Sequence, residues 1–61
     1  MKIRVRAQDE SYDVYEAQVL VWDIDVHGFL MIIEVEDTIN GKLKKTLAKY
    51  TPHSWKMVRC D

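Results

Sequence analysis

Residues 12–26 read YDVYEAQVLVWDIDV. β-Branched and aromatic residues dominate this stretch, and apolar and polar positions alternate with a period of two, the pattern of a half-buried strand. The apolar set starts on odd numbers (Tyr15, Ala17, Val19, Val21) and ends on even ones (Trp22, Ile24, Val26). Side chains on a strand alternate sides, so this change of phase between Val21 and Trp22 predicts a bulge or sharp bend. One long strand then serves two parts of a curled sheet.

The flanking sequence fits the same pattern. Before it, Ile3, Val5 and Ala7 fall on one face of a first strand and Lys2, Arg4 and Arg6 on the other. Gln8, Asp9, Glu10 and Ser11 form a polar break. After it, His27 and Gly28 make a turn, with Gly28 suited to a positive φ. A third strand is expected over Phe29 to Asp37 and a fourth over Lys42 to Tyr50, joined by the hairpin signal Thr38-Ile39-Asn40-Gly41. A two-residue turn on Asn40 and Gly41 sets Glu34 opposite Leu47 and Ile32 opposite Lys49, which mixes the faces. With Gly41 as a left-handed bulge residue, Ile33 faces Leu47 and Glu36 faces Lys44. That register gives one apolar face (Met31, Ile33, Val35, Leu43, Leu47) and a favourable charged pair, and it is the one preferred. Pro52 has no amide hydrogen, so the ladder stops there. Pro52 to Trp55 is expected to form one helical turn, and Trp55 to Cys60 a closing strand.

The expected architecture is all-β: a small five-stranded antiparallel barrel or strongly bent meander, with one short helical turn before the last strand. Residues 1–61 form a single domain. The strand order and the Pro52 to Trp55 turn resemble the SH3-like small β-barrel superfold over nearly the whole chain. That resemblance implies a fold and no function. The four-residue loop Gln8 to Ser11 carries none of the clustered aromatics that a proline-peptide groove needs.

A chain of 61 residues buries only ~60% of its unfolded surface, so a supplement to its core is expected. Cys60, the one cysteine, has no partner for an internal disulfide. Residues 1–7 lack the continuous apolar region of a signal peptide, and the longest apolar run, Phe29 to Ile33, is far short of the ~20 residues that span a bilayer. The expectation is a cytoplasmic protein with no membrane contact, in the manner of phage or mobile-element products. The net charge is −1, against a generic phosphate binder.

Charges are segregated. Lys2, Arg4 and Arg6 stand alone in residues 1–8. Residues 9–37 carry acids only, and residues 38–61 carry six bases and one acid. Basic strands beside acidic ones favour the correct strand pairing. Two functional alternatives use the same pattern. Lys44, Lys45 and Lys49 with Trp55 can contact nucleic acid, rings stacking on bases while lysines follow phosphates. Glu10, Asp13 and Glu16 can form the acidic face of an inhibitor of a nucleic-acid enzyme.

Catalysis is not expected. Asp23, Asp25 and His27 share one strand face, but neighbours along a strand point parallel instead of converging on a metal. Cys60 could pair with His53 or His27, but it lies next to the chain end, where fraying spoils a nucleophile's geometry. The chain has only two glycines, too few for a phosphate loop. No metal or cofactor is expected. Leu20, Leu30, Ile32, Tyr50 and Val58 fall opposite the main core sets, so a non-catalytic module is expected to dock on a protein partner or pair with itself, as a homodimer for instance. Its surface is placed at Leu30, Ile32, Ala48 and Tyr50.

Overall fold

A computed structural model describes residues 1–60 and contains six strands and no helix among them. They are β1 (Lys2–Ala7), β2 (Tyr12–Glu16), β3 (Leu20–Ile24), β4 (Leu30–Thr38), β5 (Gly41–Tyr50) and β6 (Trp55–Cys60). Two antiparallel sheets result, one ordered β2-β1-β6 and the other β3-β4-β5, and they do not close into a barrel. The described residues hold no helix long and apolar enough to cross a membrane.

The count is six instead of five because the long second segment divides. Its break lies at residues 17–19, upstream of the expected site between Val21 and Trp22. Ala17 still belongs to the first sheet: its amide donates to Met1 O, and the N-terminal ammonium donates to Ala17 O. The chain then crosses over, and Leu20 enters the second sheet fully buried. Tyr15 and Ala17 therefore point inward on odd numbers and Leu20 on an even one. Val19 and Val21 lie beyond the change of phase, on the outside.

The side of the third strand is also reversed from expectation. Ile3, Val5, Leu20, Leu30 and Ile32 are the buried core, with Tyr15, Ala17, Ala48, Tyr50, Trp55 and Val58 packed against it. Leu30 and Ile32 are thus core residues and not an outer patch. Met31, Ile33 and Val35 face away. The continuous run Phe29 to Ile33 is apolar on both sides, so alternation cannot choose between them. Cover from Ile3 and Val5 on β1 decides it.

The hairpin register differs near its turn. Thr38 pairs with Gly41, leaving Ile39 and Asn40 as the two-residue connection, and Glu36 faces Leu43, not Lys44. A bulge between Ile32 and Ile33 leaves Leu47 as the extra residue on β5; beyond it Ile32 faces Ala48 and Leu30 faces Tyr50. The preferred register is therefore correct at the far end and one residue off at the turn.

The sheets are fastened at two places. Tyr50 Oη on β5 donates to Asp13 Oδ2 on β2 (2.7 Å) and receives the hydroxyl of Tyr15. Trp55 Nε1 on β6 donates to Gly28 O (3.1 Å), in the turn before β4. The Pro52–Ser54 connection is a plain turn, not a helix, closed by Ser54 N donating to Thr51 O. Pro52 rests on Gly28, whose φ is +85°; a Cβ built there meets Pro52 Cβ at 3.3 Å.

Gly28→Ala therefore suffers both backbone strain, on the order of 1–3 kcal/mol, and a crowded proline. Gly41→Ala, at φ +119° with open space around it, suffers strain alone. Urea unfolding of both variants is expected to show the larger loss at Gly28; equal losses would mean that Pro52 does not press on the turn.

Candidate interaction surfaces

The chain is thin. Its radius of gyration is 12.2 Å, against about 10.5 Å for a compact chain of this length, and it extends 41 × 24 × 13 Å. Sheets pack about 10 Å apart, so the short dimension holds two sheets and nothing more. Among the described residues, each sheet has an outer face with no further layer behind it.

On β3-β4-β5 that face is apolar along its middle and charged at its margins. The pairings arrange it in rows across the sheet: Asp23–Met31–Lys49, then Val21–Ile33–Thr46. Lys44 faces Val35, and Val35 N donates to Val19 O (3.1 Å), which brings Val19 alongside. Val19 and Val21 are 40% and 41% exposed, while Met31, Ile33 and Val35 are half-buried. The Lys49 ammonium lies 5.0 Å from the centre of the Phe29 ring. Trp22 and Ile24, paired with the buried Ile32 and Leu30 on the same edge strand, are also partly exposed.

The outer face of β2-β1-β6 is different. Even-numbered residues of β1 point outward there. Arg4 stands between Val14 and Arg59, and Arg6 between Tyr12 and Met57. Arg4, Arg6, Tyr12, Met57 and Arg59 line a concavity of about 130 Å³. The guanidinium carbons of Arg4 and Arg6 sit 5.6 and 5.1 Å from the centre of the Tyr12 ring. Arg6 Nε is 3.1 Å from Glu10 Oε2, an ion pair without the alignment of a hydrogen bond.

The residues singled out from sequence are dispersed. Leu30 and Ile32 are in the core, Ala48 packs against it, and the Tyr50 hydroxyl is held in the inter-sheet fastening. Burial is the first reason that the Tyr50 phenol is pushed well above its ordinary range, with the Tyr15 and Asp13 hydrogen bonds adding to it. Lys44 and Lys49 share the outer face, whereas Lys45 pairs with Glu34 on the opposite parity and Trp55 belongs to the other sheet. Glu10 pairs with Arg6 and Lys56, Asp13 accepts from Tyr50, and Glu16 stands opposite Lys2. They form no continuous acidic string. The arginine cluster escapes sequence reading because Arg59 joins Arg4 only through pairing of the chain's two ends.

Asp25 is a turn residue. Its Oδ1 accepts the amides of His27 (2.8 Å) and Phe29 (3.1 Å). Among the described residues, no group of three or more His, Cys, Asp or Glu is placed to hold a metal. No family model matches the chain, and neither does any curated protein or solved structure.

Three turn carboxyls are held below their ordinary range: Asp25 chiefly by the Phe29 amide, Asp9 by the Ser11 hydroxyl, and Glu10 by the Lys56 hydrogen bond and then the Arg6 charge. Depressed carboxyls stabilise the fold above their unfolded values and lose that effect as pH falls through the folded ones. Stability against urea should hold from neutral pH to about 5 and fall below about 4. Asp25→Asn should flatten the acid limb. An unchanged limb would show that the turn carboxylate is not held by those amides.

Proposed function

We propose that this chain is a non-catalytic interaction module that pairs with a second copy of itself through the outer face of β3-β4-β5. The row Asp23–Met31–Lys49 carries the proposal: it reads acid, apolar, base. A two-fold axis running along the strands lays β5 of one copy over β3 of the other. Asp23 then meets the partner copy's Lys49, Lys49 meets its Asp23, and the valine, isoleucine and methionine stripe meets itself. Such isologous contacts are the commonest route to a dimer, and a net charge of −1 sets up little repulsion between copies. A sheet apolar on both faces needs cover on both. The sequence-derived surface at Leu30 and Ile32 is thereby replaced by one at Val19, Val21, Met31, Ile33 and Val35.

The SH3-like architecture enters the proposal in an open form; the two sheet orders, with the long second segment split between them, support it. A cytoplasmic setting fits the single thiol of Cys60, and a phage or mobile-element origin fits the small size. The acidic-inhibitor alternative is set aside, because Glu10 and Asp13 are engaged within the chain.

Light scattering or sedimentation should give a mass that rises toward two chains with concentration. Asp23→Lys and Lys49→Asp should each weaken the dimer by about tenfold or more, since each places like charges face to face twice. The double exchange should restore it. A mass of one chain at every concentration contradicts dimerisation. A double variant as weak as the singles contradicts this two-fold arrangement.

A further inference from the structure

β5 is the longest strand, ten residues from Gly41 to Tyr50, and it ends the order β3-β4-β5. Among the described residues no strand lies on its other side, so one row of its amides and carbonyls has no ladder partner there. The hydrogen bonds of β4 identify that row. Val35 N donates to Val19 O, so Val35 turns its backbone groups toward β3 and away from Lys44, its neighbour on β5. Bonded and unbonded pairs alternate along an antiparallel ladder, and Thr38 with Gly41 closes the hairpin. Lys42, Lys44 and Thr46 therefore direct their N–H and C=O groups to the open edge. The bulge at Leu47 ends the regular row.

The edge also has a sign. β5 carries Lys42, Lys44, Lys45 and Lys49 and no acid. Lys42 Nζ is 3.9 Å from Asp37 Oδ1, Lys45 stands opposite Glu34, and Lys49 lies over the Phe29 ring. Lys44 stands opposite Val35 and makes no ion pair among the described residues. An added strand that sets an acid beside Lys44 gains a favourable cross-strand pair. On the other side of β5, Leu43 is 56% exposed and offers that strand an apolar contact. A second copy fits poorly. Two β5 edges paired antiparallel about Lys44 set that lysine against its own counterpart, the device by which edges resist self-pairing. A nucleic-acid strand would use the ammonium groups and leave the amides unpaired.

We propose that the β5 edge at residues 42–46 takes up an extended acidic segment of a protein partner as a fourth strand of the β3-β4-β5 sheet. Main-chain hydrogen bonds supply the attachment, and an acid beside Lys44 with an apolar residue beside Leu43 supplies the selection. The contact does not rest on dimerisation, which uses the face of this sheet and not its edge.

The test is fluorescence anisotropy with a labelled peptide of about eight residues in which glutamate and valine alternate. Binding should saturate, and the same peptide with lysine in place of glutamate should not bind. Peptides N-methylated at alternate residues separate edge pairing from charge attraction: methylation in one frame should abolish binding and in the other frame spare it. Lys44→Glu should weaken binding about fivefold, whereas Lys2→Gln, on the other sheet, should not change it. Circular dichroism of each variant checks that the fold is retained. Amide hydrogen exchange reads the site in the unsubstituted chain, where saturating peptide should slow exchange at Lys42, Lys44 and Thr46. Absence of saturable binding, equal binding of the two methylated frames, unchanged exchange at those three amides, or equally tight binding of an oligothymidylate would each overturn the proposal.

Discussion

The structure depends on the contact of Ile3 and Val5 with Leu20, Leu30 and Ile32. Among the described residues these five side chains are the buried core, and each contributes about 1.5–3 kcal/mol by leaving water. Only one side of β4 takes part, although both sides are apolar. Choosing Leu30 and Ile32 for the interior commits Met31, Ile33 and Val35 to the exterior. The core therefore creates the surface. Two hydrogen-bonded fastenings, Tyr15–Tyr50–Asp13 and Trp55–Gly28, keep the sheets in the one relative position where this choice holds.

Much of the strand content is legible in the sequence, because period-two alternation is a local property. The first strand, the polar break at Gln8 to Ser11, the turn at Gly28 and the closing strand from Trp55 to Cys60 all follow from neighbours a few residues apart. What alternation cannot supply is a side for a segment apolar on both. Val19 and Val21 look continuous with Tyr15 and Ala17 until the crossover at residues 17–19 separates them. Leu47 looks like a core residue until the bulge beside Ile32 takes it out of the ladder.

The candidate surfaces show the same division. The acid–apolar–base row depends on three strands in register: the expected hairpin already sets Met31 opposite Lys49, and what alternation does not supply is Asp23 across from Met31 on the other side. The arginine concavity depends on β1 lying between β2 and β6, a pairing of distant segments. Lys2, Arg4 and Arg6 were visibly on one face, but Arg59 was not visibly their neighbour. Segregated charge remains partly a device for strand pairing, as Lys2 with Glu16 and Glu34 with Lys45 show. The two faces divide the remaining surface by chemistry.

The sidedness of β4 is tested most directly by thiol reactivity along consecutive positions. With Cys60→Ser as background, single cysteines at 32 and 33 differ only in the side of the sheet on which they stand. At low protein concentration the thiol of Ile33→Cys should react rapidly with a soluble maleimide and that of Ile32→Cys slowly, and protection of the former should grow as concentration rises. Fast labelling of Ile32→Cys beside slow labelling of Ile33→Cys, in folded protein, would contradict the assigned faces and with them the surface proposed for pairing.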